Sequence, residues 1–358
     1  MPRISIVMPS YESAPYLRQA VISILQQTEH DIELIIVQEM GARDGTEALL
    51  NEIDDARVRV VRNDIPLGLA RSLNRGFALA SSEYVARMDA DDVSMPERLE
   101  KQASYLDRHP SVGVVGSAVR HIDERGQEIG AREYHTSPAL VLWNMHFDCA
   151  MCHPSTMFRR SVFEEAGGYS AAAKDWEDYE LWTRIMRRHS LSNLPDILLD
   201  YRIHSGAVSV QKREEQRQHI VKCGQRAMEV TMARPVDVDF VRSLIRPYTI
   251  VGRHEAIGAA WLLNSLLHSF RMWYHERNRE DMIAVKYDVS ERMSHILARS
   301  VKAAPMAVPM ILWQASRGGP GVSSRIGPAT VRRGIERLNG TAAAKMERRS
   351  GTVIPSTQ

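Results

Sequence analysis

The sequence predicts an α/β protein, a mostly parallel sheet with helices on both faces, extended at its C-terminal end by helices alone. Three observations carry that expectation. Four short apolar, β-branched runs alternate with helical-period segments in the first ninety residues. Polar loops follow the runs, at 9–12, 39–45, 63–68 and 89–92. Beyond Ser209 the strand signal stops and only helical periodicity remains.

Residues 4–8 read as a buried strand stopped by Pro9, and Leu17, Val21, Ile24 and Leu25 then recur at helical spacing. A second strand at 32–37 leads through a turn at Gly41 and Gly45 into a helix from Thr46, with Ala48, Leu49 and Ile53 on one side. A third strand covers 58–61. The next helix, 69–80, carries Leu69, Leu73, Phe77 and Ala80, and a fourth strand at 84–88 runs straight into Asp89, Asp91 and Asp92. In such sheets ligands bind beyond the carboxyl ends of the strands, where these loops fall. Further on, 96–109 reads as a helix with Pro96 at its first position and 112–119 as a strand. Asp123 to Gly126 is a hairpin turn, which makes the sheet mixed. Strands at 152–158 and 194–204 and helices at 161–166 and 177–188 complete a domain over 1–208, the 161–166 helix ended by Gly167 and Gly168. Helices at 210–231, 236–249, 254–274 and 280–299 form a region over 209–300. An apolar and basic segment with a poorly ordered tail covers 301–358.

The 358 residues carry a net charge of +2, but that balance hides an asymmetry. Residues 210–358 hold 24 Lys and Arg against 13 Asp and Glu, while 1–209 hold 22 against 31. An acidic front and a basic rear meet different partners. Three cysteines cannot build a disulfide framework, the first residues lack a signal-peptide core, and 303–313 is too short to span a bilayer. A cytoplasmic protein is expected.

Three carboxylates within four residues at a strand end, Asp89, Asp91 and Asp92, repel one another unless a cation compensates. Hard oxygen ligands suit Mg²⁺ or Mn²⁺ on a diphosphate; the bland alternative is a solvated turn. Glu177 and Asp178 open a helix, where the dipole alone accounts for acids, but Asp178 is also placed to act as a general base. His204 at a strand end is either structural or a ligand completing a shell begun by Asp91, and Arg202 beside it could meet phosphate. His146, Cys149, Cys152 and His153 have zinc-clip spacing but lack a second ligand pair, so zinc is disfavoured. The phosphate-loop and dinucleotide glycine motifs are absent.

Seven segments in order resemble the family 2 glycosyltransferases of the GT-A fold over about residues 3–206. They run from Ser5 to Tyr11, Gly41 to Thr46, Gly68 to Gly76, Arg87 to Asp92 with Pro96 to Gln102, His153 to Arg159 with Gly167 to Tyr169, Glu177 to Trp182, and Tyr201 to His204. The resemblance implies an inverting transferase using a nucleotide-sugar, UDP ahead of dTDP or GDP, with Mn²⁺ or Mg²⁺. It implies that Pro9, Ser10, Glu12 and Glu39 hold the nucleoside. Asp89 would contact ribose or metal, Asp92 would lie near the donor sugar, and Arg71 and Glu177 complete the donor site. Asp91 and His204 would ligate the metal, and Asp178 would be the catalytic base. The chain departs from the family at Glu39-Met40, where relatives carry two aspartates, and at Glu12, where Asn is usual.

The expected partners are a nucleotide-sugar donor and a saccharide or lipid-linked acceptor of cell-surface polysaccharide, not nucleic acid; a homo-oligomer stays open. A sugar-1-phosphate nucleotidyltransferase, or a non-catalytic scaffold on the same fold, are the competing readings. Leu262, Leu263, Leu266, Leu267 and Phe270 form an apolar stripe that would pack on the catalytic domain, on a second subunit or on a bilayer. The segment 303–317, with Pro305 and Pro309, reads as a poor core helix and favours peripheral contact with the inner membrane face.

Overall fold

The computed structural model describes residues 1–204, 213–274 and 279–318. The parallel half of the sheet forms as the periodicity dictates. Strands β1 (Ile4–Ser10), β2 (Ile32–Gln38), β3 (Val58–Arg62) and β4 (Tyr84–Arg87) alternate with helices α1 (Ala14–Leu25), α2 (Thr46–Asn51) and α3 (Leu69–Leu79). β1 pairs in parallel with both β2 and β4, with Val7 opposite Ile35 on one side and Arg87 on the other. β2 pairs in parallel with β3.

The continuation is mixed. It comprises β5 (Val93–Ser94), α4 (Arg98–Arg108), β6 (Val112–Ile122), β7 (Glu128–Arg132), α5 (Pro138–Asn144), β8 (Met157–Arg159), α6 (Arg160–Glu165), α7 (Glu177–Ile185) and β9 (Ser190–Arg202). The nine strands lie in the order β3-β2-β1-β4-β8-β6-β9-β5, with β7 added to β6. β8 is antiparallel to β4 and β6, and β6 is parallel to β9. The predicted turn is real: Gly126 sits at φ +80°, and β6 and β7 form the antiparallel pair around it.

Alternation within the strands sends side chains to two cores. Ile4, Ile6, Met8, Leu34 and Ile36 meet Leu17, Val21 and Ile24 of α1 and Leu99 and Leu106 of α4 on one face. On the other face, Val7 and Val37 lie under α3.

Several expectations are corrected. The strand expected at 152–158 is broken: His153–Ser155 is a 3₁₀ turn, with Pro154 inside it, and only Met157–Arg159 pairs. Pro96 does not start its helix, which begins at Arg98 after Glu97. On α2 the buried residue is Leu50 while Ala48 is exposed, and Leu69 is exposed on α3. Strand β5 and helix α5 are unanticipated, because two residues and seven residues carry too little periodicity to read.

The chain divides into two compact units, one from Met1 to Cys223 and one from Gly224 onward, and the division falls inside α8 (Arg213–Met232). The second unit also contains α9 (Val238–Ile245), α10 (Arg253–Trp273), α11 (Arg279–Ala303) and α12 (Val308–Arg317). The stripe Leu262, Leu263, Leu266, Leu267 and Phe270 is the core of this unit, with α9, α11 and α12 packed around α10. The segment 303–317 is helical after all. Pro305 begins a 3₁₀ turn and Pro309 occupies the first turn of α12, where a missing N–H costs nothing. Among the described residues no helix is long and apolar enough to cross a membrane. The tail expected to be poorly ordered lies, from residue 319, outside the described residues.

Gly76 sets how closely α3 approaches the sheet. A Cβ there would lie 2.4 Å from Val7 Cγ1 and 3.1 Å from Val37 Cγ2. Both neighbours are β-branched and fixed in the core, so Gly76→Ala forces overpacking that outweighs the gain in helix propensity. The expected loss is about 1–2 kcal/mol, read as a lower urea midpoint with unchanged slope.

Candidate functional site

Three of the parallel strands end side by side. Ser10 pairs with Gln38, and β4 stops at Arg87 with the Met88 N–H still donating to the Val7 carbonyl at 3.1 Å. Since β1 has its successor on one side and β4 on the other, the chain reverses direction across the sheet here and leaves a crevice. Asp89, Asp91 and Asp92 enter that crevice.

β5 determines where the acidic loop goes next. Val93 pairs with Asp200 and Ser94 with Leu199, so the loop is stitched to the far end of β9. His204 thereby arrives beside Asp91, with Nε2 3.0 Å from Oδ2. The same pairing lets the Arg202 N–H donate to Asp92 Oδ1 at 2.8 Å.

Asp89, Asp91 and Asp92 can bring one oxygen each to within 4.8 Å of one another, and they are the one such group of His, Cys, Asp and Glu among the described residues. Asp92 is fully buried and its Oδ2 has no partner. Burial, opposed by Arg87 and aided by Asp91, pushes Asp89 up to about 6. Burial and the charges of Asp91 and Asp89 raise Asp92 well above the ordinary aspartate range. Such a cluster is unfavourable when ionised and is short of positive charge. Hard oxygens, one of them unpartnered, together with a neighbouring imidazole fit a small divalent cation. His204 is raised by its hydrogen bond to Asp91 and by that carboxylate's charge, against burial.

Arg87 provides the fixed positive charge. It is 3% exposed, and its Nη1 donates to Asp89 Oδ2 at 2.6 Å. Its charge also acts on Asp92, Glu177 and Asp178. Arg98, fully buried on α4, donates to the Arg87 carbonyl at 2.6 Å and holds the strand end in place.

Helix α7 brings the other acids. Asp178 lies in its first turn, with Oδ1 accepting from the Tyr179 N–H at 2.7 Å and Oδ2 3.8 Å from Cys149 Sγ. Burial raises Asp178, and its charge acts on Asp89. Glu177 is buried and pushed up to about 7 by burial and by Asp178.

The remaining predicted residues are placed as follows. Pro9 does not stop β1 as expected but pairs with Val37 inside it, half-buried, and Glu12 is exposed with φ +46°. Ser10 is buried and its hydroxyl is 2.7 Å from Ser13 Oγ, so it faces the protein. Glu39 accepts from the Leu67 and Gly68 N–H groups at 3.0 and 2.6 Å, which ties β2 to the loop before α3. Arg71 is exposed on α3. The structure therefore joins Asp89, Asp91, Asp92 and His204, sets Asp178 and Glu177 within electrostatic reach, and leaves Arg71 and Glu39 without contact to the acids among the described bonds.

Arg202 does not face a phosphate. Its Nε donates to the Asp91 carbonyl at 2.7 Å, Nη1 to the Asp123 carbonyl at 2.9 Å and Nη2 to Gln19 at 2.8 Å, while its guanidinium covers the Tyr16 ring. Its work is to fasten the acidic loop. The zinc clip is not assembled either: His146 Nδ1 bonds the Trp143 carbonyl and His153 Nε2 the Tyr169 hydroxyl. Sequence reasoning missed Arg87, Arg98 and the Cys149 contact. Only Arg87 had a signal, a cation two residues before the first aspartate.

Residues 5–167 match the model of the glycosyl transferase family 2. The amylovoran biosynthesis glycosyltransferase AmsE of Erwinia amylovora is 34% identical over 210 residues, spanning 56% of this chain and 75% of that protein. The O-antigen biosynthesis glycosyltransferase WbnJ of Escherichia coli is 34% identical over 208 residues, spanning 56% and 80%. Among solved structures, S. aureus TarS 1–349 in complex with UDP-GlcNAc covers 95% of this chain and 92% of its own, with a TM-score of 0.54 at 13% identity. That likeness speaks for the fold, which is GT-A. The chain belongs to glycosyltransferase family 2.

The fastening role of Arg202 is open to a direct check. Arg202→Met removes hydrogen bonds to the half-buried Asp91 and Asp123 carbonyls and to the exposed Gln19 side chain, each worth about 0.5–1.5 kcal/mol net, so the urea midpoint should drop. A side chain serving only a phosphate would leave that midpoint unchanged.

Proposed function

We propose that this glycosyltransferase is metal-dependent and inverting, and that it moves a sugar from a nucleotide-diphosphate donor, a UDP-sugar first, to a saccharide or lipid-linked acceptor in cell-surface polysaccharide biosynthesis. One observation carries the reading. An acidic triad at the end of β4 and a separate aspartate at the start of α7 lie within electrostatic reach of each other and of one buried arginine. The names of AmsE and WbnJ support the polysaccharide setting.

Asp91, with Asp89 or Asp92 and with His204 once its bond to Asp91 opens, would hold Mn²⁺ or Mg²⁺. When bound, the cation supplies positive charge against the leaving diphosphate. Pro9, the Ser10 backbone and Glu12 border the place for the nucleoside. Glu39 would act there through the loop it ties down, and Arg71 and Glu177 would border the donor. Asp178 accepts the proton of the acceptor hydroxyl as its oxygen bonds to the sugar's C1. The bond from C1 to the diphosphate breaks with its electron pair on the nucleotide, and the anomeric centre inverts.

Location is the second part of the proposal. The outer side of the α12 segment presents Pro305, Met306, Pro309, Met310 and Trp313, all exposed, with Lys302 and Arg317 at its ends. No charged residue interrupts it between 303 and 316. An apolar face with a Trp and flanking cations fits the surface of an anionic bilayer on the cytoplasmic side, where each cation contributes about 1 kcal/mol. Met310→Asp with Trp313→Asp should stop sedimentation with phosphatidylglycerol vesicles at low salt. Wild-type protein that fails to sediment with them refutes the attachment.

The activity is tested with a panel of UDP-, dTDP- and GDP-sugars and Mn²⁺, scored for nucleotide release. EDTA and Asp91→Asn should abolish release, and Asp178→Asn should lower it about 10²–10⁴-fold with donor affinity kept. Asp178 works only when ionised, and burial raises it above its ordinary 3.8. Falling pH therefore switches the enzyme off earlier than a normal aspartate would. Full release in excess EDTA overturns the metal assignment, and lost donor affinity in Asp178→Asn overturns the base.

A further inference from the structure

The turn that feeds α7 has an unusual conformation for its residues. Asp175 sits at φ +68°, a left-handed conformation uncommon outside glycine, and Trp176 follows at φ −152°. No side chain caps the helix at this end. The turn has one bond of its own, the Trp176 N–H donating to the Ala173 carbonyl at 3.2 Å, and it takes further support from side chains.

That support comes from the first half of α8, within the same compact unit. Gln216 Nε2 donates to the Asp175 carbonyl at 3.3 Å. The His219 ring stacks on the Trp176 indole, with centroids 5.0 Å apart and planes inclined by 13°. Lys222 Nζ stands 5.0 Å from the centre of the same ring. Positions 216, 219 and 222 follow at three-residue spacing along one side of the helix. Trp176 is only 8% exposed as a result of its packing.

We propose that Gln216, His219 and Lys222 form a brace that positions Asp178, acting through Asp175 and Trp176. Trp176 is the residue from which α7 starts, and Asp178 is two residues further on, so the seating of the indole fixes where the base carboxylate points. A general base has to lie within hydrogen-bond reach of the proton it takes, and an ångström of displacement removes most of its effect. The brace touches none of Asp89, Asp91 and Asp92 among the described contacts. It therefore acts on the start of α7, where Glu177 and Asp178 follow Trp176, and not on the acidic loop. This role presupposes that Asp178 is the base of the proposed transfer reaction.

The full chain carrying Gln216→Ala and His219→Ala is compared with wild type in two measurements. Hydrogen exchange should quicken in peptides covering 174–181 and stay unchanged over 84–92. Nucleotide release from the UDP-sugar panel with Mn²⁺, where water replaces the acceptor, should lose about tenfold in kcat with a smaller change in donor KM. Returning an aromatic ring, as His219→Phe with Gln216 intact, should restore both readouts. Unchanged exchange over 174–181 overturns the brace, as does a fall in donor affinity parallel to kcat. If wild type releases no nucleotide from any donor, the transferase reading fails, while the exchange experiment still decides whether α8 holds the turn.

Discussion

The site depends on one buried charge. Arg87 ends the central strand β4 with its side chain almost wholly enclosed, and around it stand Asp89, Asp92, Glu177 and Asp178. Burying carboxylates is costly unless positive charge comes with them. Burial raises the proton affinity of Asp89, Asp92, Asp178 and Glu177, neighbouring carboxylates add to it at Asp89, Asp92 and Glu177, and Arg87 only partly opposes it. The fold thus holds an acidic crevice short of positive charge, which is the condition a cation-assisted diphosphate chemistry needs.

The surrounding architecture keeps that crevice from collapsing. Arg98 and Gln102 on α4 are both fully buried and work as a pair of clasps: Arg98 holds the Arg87 carbonyl, and Gln102 donates to the carbonyls of Val115 and Ser155. On the other side Arg202 fastens the acidic loop to the 123–124 turn and to Gln19. Polar groups buried this deeply are stabilising only when fully satisfied, so these bonds give the site rigidity along with shape.

The loop after β2 fits this view of fixed geometry. Glu39 uses its long arm to accept from two backbone N–H groups before α3. Its carboxylate is lowered by those bonds despite partial burial, so it stays charged as a structural tie. Met40 beside it is exposed.

The sequence by itself determined the parallel half of the sheet, the acidic loop at the end of β4 and the helical character of the described residues from 213 on. Each of these rests on local periodicity or on charge density along the chain, which needs no partner to be read. It also named Asp178 and His204, though as acids or imidazoles with two meanings each. Only the tertiary structure shows which groups they stand beside. A two-residue strand too short to leave a pattern brings His204 across 113 residues to Asp91. Arg202, which looked equally free to meet a phosphate, is consumed by carbonyls contributed from distant loops. The prolines of the 303–317 segment, read as obstacles to a helix, fall in first turns where they cost nothing. Pairings between remote segments and the burial they impose are properties of the packed chain, and no stretch of residues carries them alone.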